Sequence, residues 1–166
     1  MPVFLLTALM ATGQRFSLGE LTVRYQKGEG FVAYNAGGER LFVVYPYDNG
    51  PDYPSEGLFR IMEKGRIGFA DTTGRVVIPP RFTAVFPFLE GRAAFCDGCK
   101  KVHEGEHSRW TGGRWGFIDR RGRVVVPAKY EKVIRMYNSG RAVVVTAGDT
   151  VAIDTVGNVI PKKGNK

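Results

Sequence analysis

Cysteine and histidine are almost missing from this chain, with two of each in 166 residues. Cys96 and Cys99 are separated by two residues, so they cannot staple distant parts of a fold in the way small secreted domains are stapled. No run of 18 apolar residues exists, which leaves no transmembrane helix. Convincing helical periodicity is absent as well; the apolar runs are short and bounded by glycine or proline. There is no phosphate-cradling glycine loop, no nucleophile elbow and no carboxylate pair at catalytic spacing, so most familiar enzyme chemistries lack their residues.

What is present points to tightly turned β structure. Glycine occurs 22 times without a period of three, among many Val, Phe and Tyr residues, as expected of short strands joined by tight turns. Hydrophobic residues at 43% and charged residues at 24% suit a domain with a real core and exclude wholesale disorder. The net charge of +8 is uneven. Residues 1–66 hold seven Lys/Arg and seven Asp/Glu, while residues 67–166 hold seventeen and nine and so carry the whole excess. A basic half can favour anionic partners, and it can equally be a solvated face that aids solubility. The stretch Val3–Ala11 is apolar apart from Thr7. It resembles the core of an export signal without the basic residues before it, and a plain first strand fits as well, so both cytoplasmic and exported readings stand.

The most informative feature is self-similarity. GFADTTGRVVIPPRF at 68–82, GFIDRRGRVVVPAKY at 116–130 and AIDTVGNVIP at 152–161 read alike, anchored on Asp71, Asp119 and Asp154. A degenerate copy at 31–46 places Asn35 at the same point. The interval from Asp119 to Asp154 is 35 residues and that from Asp71 to Asp119 is 48, one period plus 13 inserted residues. A second block recurs as SEGLFRI at 55–61, LEGRAAF at 89–95 and NSGRAVVV at 138–145. Each copy therefore reads as strand, tight turn, strand, link, strand. Asp opens the turn by accepting backbone hydrogen bonds from residues two and three further on, and Gly closes it with positive φ. The second strand is expected to end at Pro79, Pro127 or Pro161. Trp115, Phe117, Phe82 and Tyr130 are expected in the core, and the regularly spaced acids are expected to build turns.

Trp115-Gly116-Phe117-Ile118-Asp119, followed by Gly122, Val125, Pro127 and Tyr130, resembles the WG repeat, a β-rich tandem motif of bacterial proteins. The resemblance covers roughly residues 30–161 and is good in the middle two copies. Ile67 stands where the motif has Trp or Lys, and Val151-Ala152 replaces Trp-Gly in the last copy. It implies an all-β fold of tandem three-stranded meanders of about 35 residues, stacked as an open solenoid or in a barrel-like shape, too few for a closed propeller. It implies interaction or cell-envelope roles and supplies no catalytic residues. The corresponding division is an N-terminal strand region or signal-like segment at 1–29 and a repeat domain at 30–166, with copies near 30–66, 67–95, 114–149 and 150–161 and an insertion at 96–113.

A departure from a repeat is a better place to look for function than the repeat itself. The insertion holds both cysteines and both histidines, as Cys96-x2-Cys99-x3-His103-x3-His107. Two thiolates and two imidazoles can form a tetrahedral zinc site, here a small loop clip. A Cys96–Cys99 disulfide or redox pair and a loop without special chemistry are the competing readings. His103-Glu104-Gly105-Glu106-His107 also spells the metalloprotease signature, but that motif needs a helix, and Gly105 with flanking strands argues against one; a zinc-dependent hydrolase is the least favoured reading.

The functional expectation is a non-catalytic repeat module for a protein or polymer partner, not an enzyme. The alternative is an anionic-polymer or nucleic-acid binder using Arg120, Arg121 and Arg123 on one hairpin turn with Lys129, Lys132 and Arg135 after it, although no nucleic-acid motif is present.

Overall fold

In the computed structural model, which describes residues 13–105 and 107–161, the chain is entirely β. The apolar stretch Val3–Ala11 lies outside the described residues. The first sheet runs β1 (Arg15–Leu18), β2 (Leu21–Gln26), β3 (Gly30–Tyr34) and β4 (Arg40–Val44). A small hairpin follows, β5 (Pro46–Tyr47) and β6 (Gly50–Pro51), and the sheet resumes with β7 (Leu58–Glu63), β8 (Arg66–Asp71) and β9 (Val76–Phe82). The second sheet contains β10 (Ala84–Val85) and β11 (Ala93–Asp97). The chain then leaves it for a separate ribbon, β12 (Lys100–Glu104) and β13 (His107–Thr111), and returns as β14 (Arg114–Ile118) and β15 (Val124–Tyr130). The third sheet is β16 (Lys132–Asn138), β17 (Arg141–Thr146), β18 (Asp149–Ile153) and β19 (Val159–Ile160). All pairings are antiparallel, and none of the sheets closes into a barrel.

The four turns are alike because one side chain builds each of them. Asp119 Oδ1 accepts the backbone N–H groups of Arg121 and Arg123 at 2.9 and 3.0 Å. Its own N–H and carbonyl bond Arg123 O and Gly122 N. Asp71 repeats this with Thr73 and Arg75, and Asp154 with Val156 and Asn158. The acceptor thus reaches residues two and four further on, not two and three. In the first copy the amide oxygen of Asn35 takes Glu39 N at 3.0 Å, so a carbonyl oxygen suffices. Gly122 closes its turn with φ +79, and a Cβ there would also lie 3.0 Å from Ile78 of the preceding sheet. Gly74 and Gly157 pack in the same way against Leu41 and Val126, so the turn is at once a local closure and a contact between copies.

Prolines 79 and 127 do not end their strands; β9 and β15 run through them. Between the pairs Trp115↔Tyr130 and Phe117↔Val126, β15 advances four residues while β14 advances two, and β8 with β9 does the same. The proline sits in this bulge, where no ladder N–H is required. The bulge presses on Gly116, whose hypothetical Cβ would lie 2.4 Å from Val126 O, and on Gly68 likewise. The glycine of the Trp-Gly pair is therefore a requirement of close backbone approach.

The second recurrent block is also a hairpin. Glu56-Gly57, Glu90-Gly91 and Ser139-Gly140 all have positive φ, the twist of a two-residue primed turn. These turns link successive copies. The Glu56 carboxylate accepts Gly91 N at 3.0 Å, and Glu90 accepts Ser139 N and Gly140 N at 2.6 and 2.8 Å. Arg120 Nη1 donates to Glu56 O at 2.6 Å and Arg92 Nε to Thr155 O at 3.2 Å.

Sheets and copies are out of phase. The hairpin of a copy belongs to one sheet and its last strand to the next: residues 68–82 lie in the first sheet, whereas 93–97 lie in the second. Strands in the middle of the stack are covered on both faces, so neighbouring residues enter different cores. Ala93, Phe95 and Ile118 join Phe69, Ile78 and Phe88, whereas Ala94, Cys96 and Phe117 join Trp115, Val126 and Tyr137. Burial on both faces explains why these strands read as continuous apolar runs instead of alternating ones. Burial also pushes the Tyr137 phenol up to about 12, and its hydroxyl donates to Asp154 O at 2.7 Å, anchoring the last turn.

Two outcomes follow for the turns. Asp119→Ala should destabilise by about 1 kcal/mol in urea melts, Asp119→Asn by less because Asn35 performs the same task, and Gly122→Val by more than either because positive φ and contact with Ile78 both resist it. The second outcome concerns pH. The hydroxyl and N–H donors around Asp71, the N–H of Asn158 above all at Asp154, and at Asp119 the Arg123 and Arg121 donors working against burial hold all three carboxyls below their ordinary value. Their folded forms prefer the charged state, so their stabilisation is complete above the unfolded value near about 4 and is lost as pH falls through the lower folded values. Thermal melts between neutral and acid pH should show this loss, and replacing all three with Asn should flatten it.

Candidate functional site

Two segments break the repeat. One is 45–54, YPYDNGPDYP, the link inside the first copy, which carries an extra hairpin; the other is the insertion at 96–113. Both reach the same place. The first forms the β5–β6 hairpin, whose base is held by a buried ion pair. Arg60 Nη2 and Nε donate to Asp52 Oδ1 and Oδ2 at 2.6 and 3.0 Å, and Arg60 N also bonds Oδ2 at 2.8 Å. The two side chains are 6% and 3% exposed, so the charges are removed from water and satisfied by each other. Arg60 Nη1 reaches Val85 O at 3.2 Å, and the guanidinium lies over the Tyr45 ring at 4.3 Å and that of Tyr47 at 5.6 Å. The pair thereby fixes the hairpin to the first sheet and to the edge of the second.

Opposite stands the β12–β13 ribbon. Between the two, a cavity of about 680 Å³ is lined by Tyr47, Asp48 and Asn49 on one side and Lys101, Ser108 and Trp110 on the other. Phe86 forms part of its wall and also of two adjoining cavities. One, of about 410 Å³, extends past Tyr53, Pro54, Leu89 and Met136; the other, of about 500 Å³, passes Trp110 and Trp115 to Glu131 and Lys132. Phe86 is common to all three, and Tyr47 and Trp110 are each common to two, so the three adjoin along one aromatic trench. Trp115, the tryptophan of the repeat, is buried and stacks on Phe86 with ring centroids 5.0 Å apart, so the repeat core supports the wall from behind. Tyr47 and Tyr53 are more than half exposed.

The residues singled out in the sequence fall differently. Cys96 and Cys99 are joined by a disulfide across the Asp97-Gly98 turn at the base of the ribbon, buried beside Trp115. His103 pairs with Ser108 and His107 with Glu104. Cross-strand partners share a face and successive residues alternate, so the two imidazoles lie on opposite faces of the ribbon. The structure does not gather the four side chains around one point, and among the described residues no group of three or more His, Cys, Asp or Glu is placed to hold a metal ion. The His-Glu-x-x-His letters span a hairpin, not a helix; Glu106 is outside the described residues.

The basic residues are likewise divided. Arg120 is bound to Glu56, and Arg123 pairs with Asp119 at 2.7 Å. Lys129 lies over its neighbour Tyr130. Arg121 and Arg135 are exposed on the turn and on β16, and of the six Lys132 lines the trench. The sequence reading missed Tyr47, Asp52, Tyr53, Arg60, Phe86 and Trp110. The available signal was the Tyr/Pro-rich composition of 45–54; the interval from Asn35 to Asp71 is 36 residues, so the period itself carries no insertion there.

Removing one member of the buried pair should be costly. Asp52→Ala should destabilise by about 3–5 kcal/mol because it strands the guanidinium away from water, whereas truncating the exposed Tyr53 should leave the melting transition nearly unchanged; chemical denaturation of both variants checks this.

Residues 67–98 and 115–148 match the family model described as the WG containing repeat. These are the two copies with the bulge opposite Gly68 and Gly116. No curated protein matches the chain. Two copies match that repeat and the outer copies share their turn geometry, which is consistent with a WG-repeat family protein.

Proposed function

We propose that this chain is a non-catalytic interaction module, whose repeats form a rigid support and whose trench holds an extended segment of a protein or polymer partner. The observation that carries this reading is the convergence of the two repeat-breaking segments on one aromatic trench. Sites grafted on scaffolds lie where the scaffold rule is broken, and exposed aromatic side chains at rest in a monomer are a common mark of a binding surface. The trench walls carry no pair of groups poised as acid and base, and its one buried ion pair has a structural task.

The excess charge of residues 67–166 supports a second reading, binding of an anionic polymer through the basic turn and β16. One comparison separates them. Wild type, Tyr47→Ala/Trp110→Ala and Arg121→Glu/Arg135→Glu are applied to arrays of peptides, glycans and oligonucleotides and to a heparin column. The trench reading predicts that array signals vanish in the aromatic double variant, survive in the charge-reversed one and change little with salt. Loss in the charge-reversed variant alone, with a steep salt dependence, would establish the polyanion reading instead.

A further inference from the structure

Resting on the trench reading, we infer that the occupant is a proline-rich peptide segment in the extended polyproline II form. The walls state three requirements. Apolar surface comes first: Tyr53, Pro54, Leu89 and Met136 shape one end, and Tyr47, Phe86 and Trp110 the middle. An occupant must offer apolar rings or side chains to both.

Hydrogen bonding sets the second requirement. Tyr47, Tyr53, Trp110, Ser108 and Lys101, all with side chains able to donate, line the trench, and among the described residues no side-chain hydrogen bond joins them to an acceptor. The occupant should therefore bring acceptors. A polyproline II chain has no internal hydrogen bonds, so all its carbonyls are available, and each proline lacks an N–H that would need a partner in return. Its extended form exists before binding, which lowers the ordering cost, and aromatic-lined grooves are a known mode of its capture.

Charge is the third. Arg60 and Arg109 are already paired, with Asp52 and Glu104. Lys101 and Lys132 on the rim are balanced by Asp48 and Glu131. A neutral segment suits this rim better than a polyanion. Two other occupants fit less well. A β-strand would need an open sheet edge, but β10 has two residues and β16 is interrupted by a register shift between Val133 and Arg135 and carries Lys132 and Arg135. A sugar ring would place hydroxyl donors and acceptors against the Tyr53–Leu89–Met136 end, where apolar side chains predominate.

The test uses the full chain and a fluorescein-labelled repeat of Pro-Pro-Leu about twelve residues long, which spans several turns of this helix. Anisotropy is compared with a Gly/Ser peptide of equal length, an N-acetylglucosamine hexamer and oligothymidylate. Trp110 and Trp115 both line the trench, so intrinsic fluorescence gives a second readout. Expected is saturable binding of the proline peptide, weakened about tenfold or more by Tyr53→Ala and by Trp110→Ala. Val124→Ala, an exposed residue of the repeat distant from these linings, should bind as wild type. Thermal melts confirm that the variants are folded. Equal affinity for the Gly/Ser peptide, no binding up to about 1 mM, or unchanged affinity in both trench variants would overturn the inference. If the sugar or the oligonucleotide binds instead and Trp110→Ala abolishes it, the peptide assignment fails and the trench reading survives. Binding of every probe that ignores Tyr53 and Trp110 overturns both.

Discussion

The hydrogen bonds that Asp119 makes to its own turn, and Asp71 and Asp154 to theirs, are what the rest of the molecule depends on. The carboxylate fixes the hairpin in a shape that ends on a glycine with positive φ. That glycine lets the turn settle against an aliphatic side chain of the preceding copy, Leu41, Ile78 or Val126. The residue after each Asp is then met by an earlier hairpin, one copy removed: Glu20 N bonds Thr72 O, Arg120 bonds Glu56 O and Arg92 bonds Thr155 O. A local turn rule thereby becomes the rule by which copies stack. This is how a repeat protein obtains stability from neighbour contacts alone.

Because sheets and copies are out of phase, each of the middle two copies bridges two sheets and more than one core layer. Ala93 and Ala94 adjoin in sequence yet enter different cores, and Phe117 and Ile118 do the same. The second sheet cannot be withdrawn without opening cores on both of its sides. Both repeat-breaking segments lie between paired strands of a sheet, the first between β4 and β7 and the second between β11 and β14.

Much of the fold was legible in the sequence because the repeat makes one physical requirement visible several times. Asp119, Gly122 and Trp115-Gly116 recur at fixed offsets, and those offsets alone imply turn, strand and core. The primed turns at Glu56-Gly57 and Glu90-Gly91 were less legible than the Asp turns, since a dipeptide with positive φ at a non-glycine residue has a weak sequence signal. Pro79 and Pro127 misled for a related reason: a proline in a bulge looks, in one dimension, like a proline that ends a strand. At the site, spacing drew attention to Cys96, Cys99, His103 and His107, although β pairing puts the two histidines on opposite faces. The basic set from Arg120 to Arg135 was adjacent in sequence and is divided by the turn-to-turn contacts. Tyr47 and Trp110 lie 63 residues apart, and their meeting depends on the stacking of sheets and on the Arg60–Asp52 pair, neither of which a local motif encodes.

The account's central claim is that two unrelated interruptions of the repeat build one binding surface. Backbone amide resonances followed during titration with the proline-rich peptide test it most directly. The account predicts shifts at residues 45–54, at 86–89 and on the β12–β13 ribbon, growing together with a single affinity, while the turn at 119–123 stays still. Shifts confined to one of the two interruptions, or centred on 119–123 and 129–135, would contradict it.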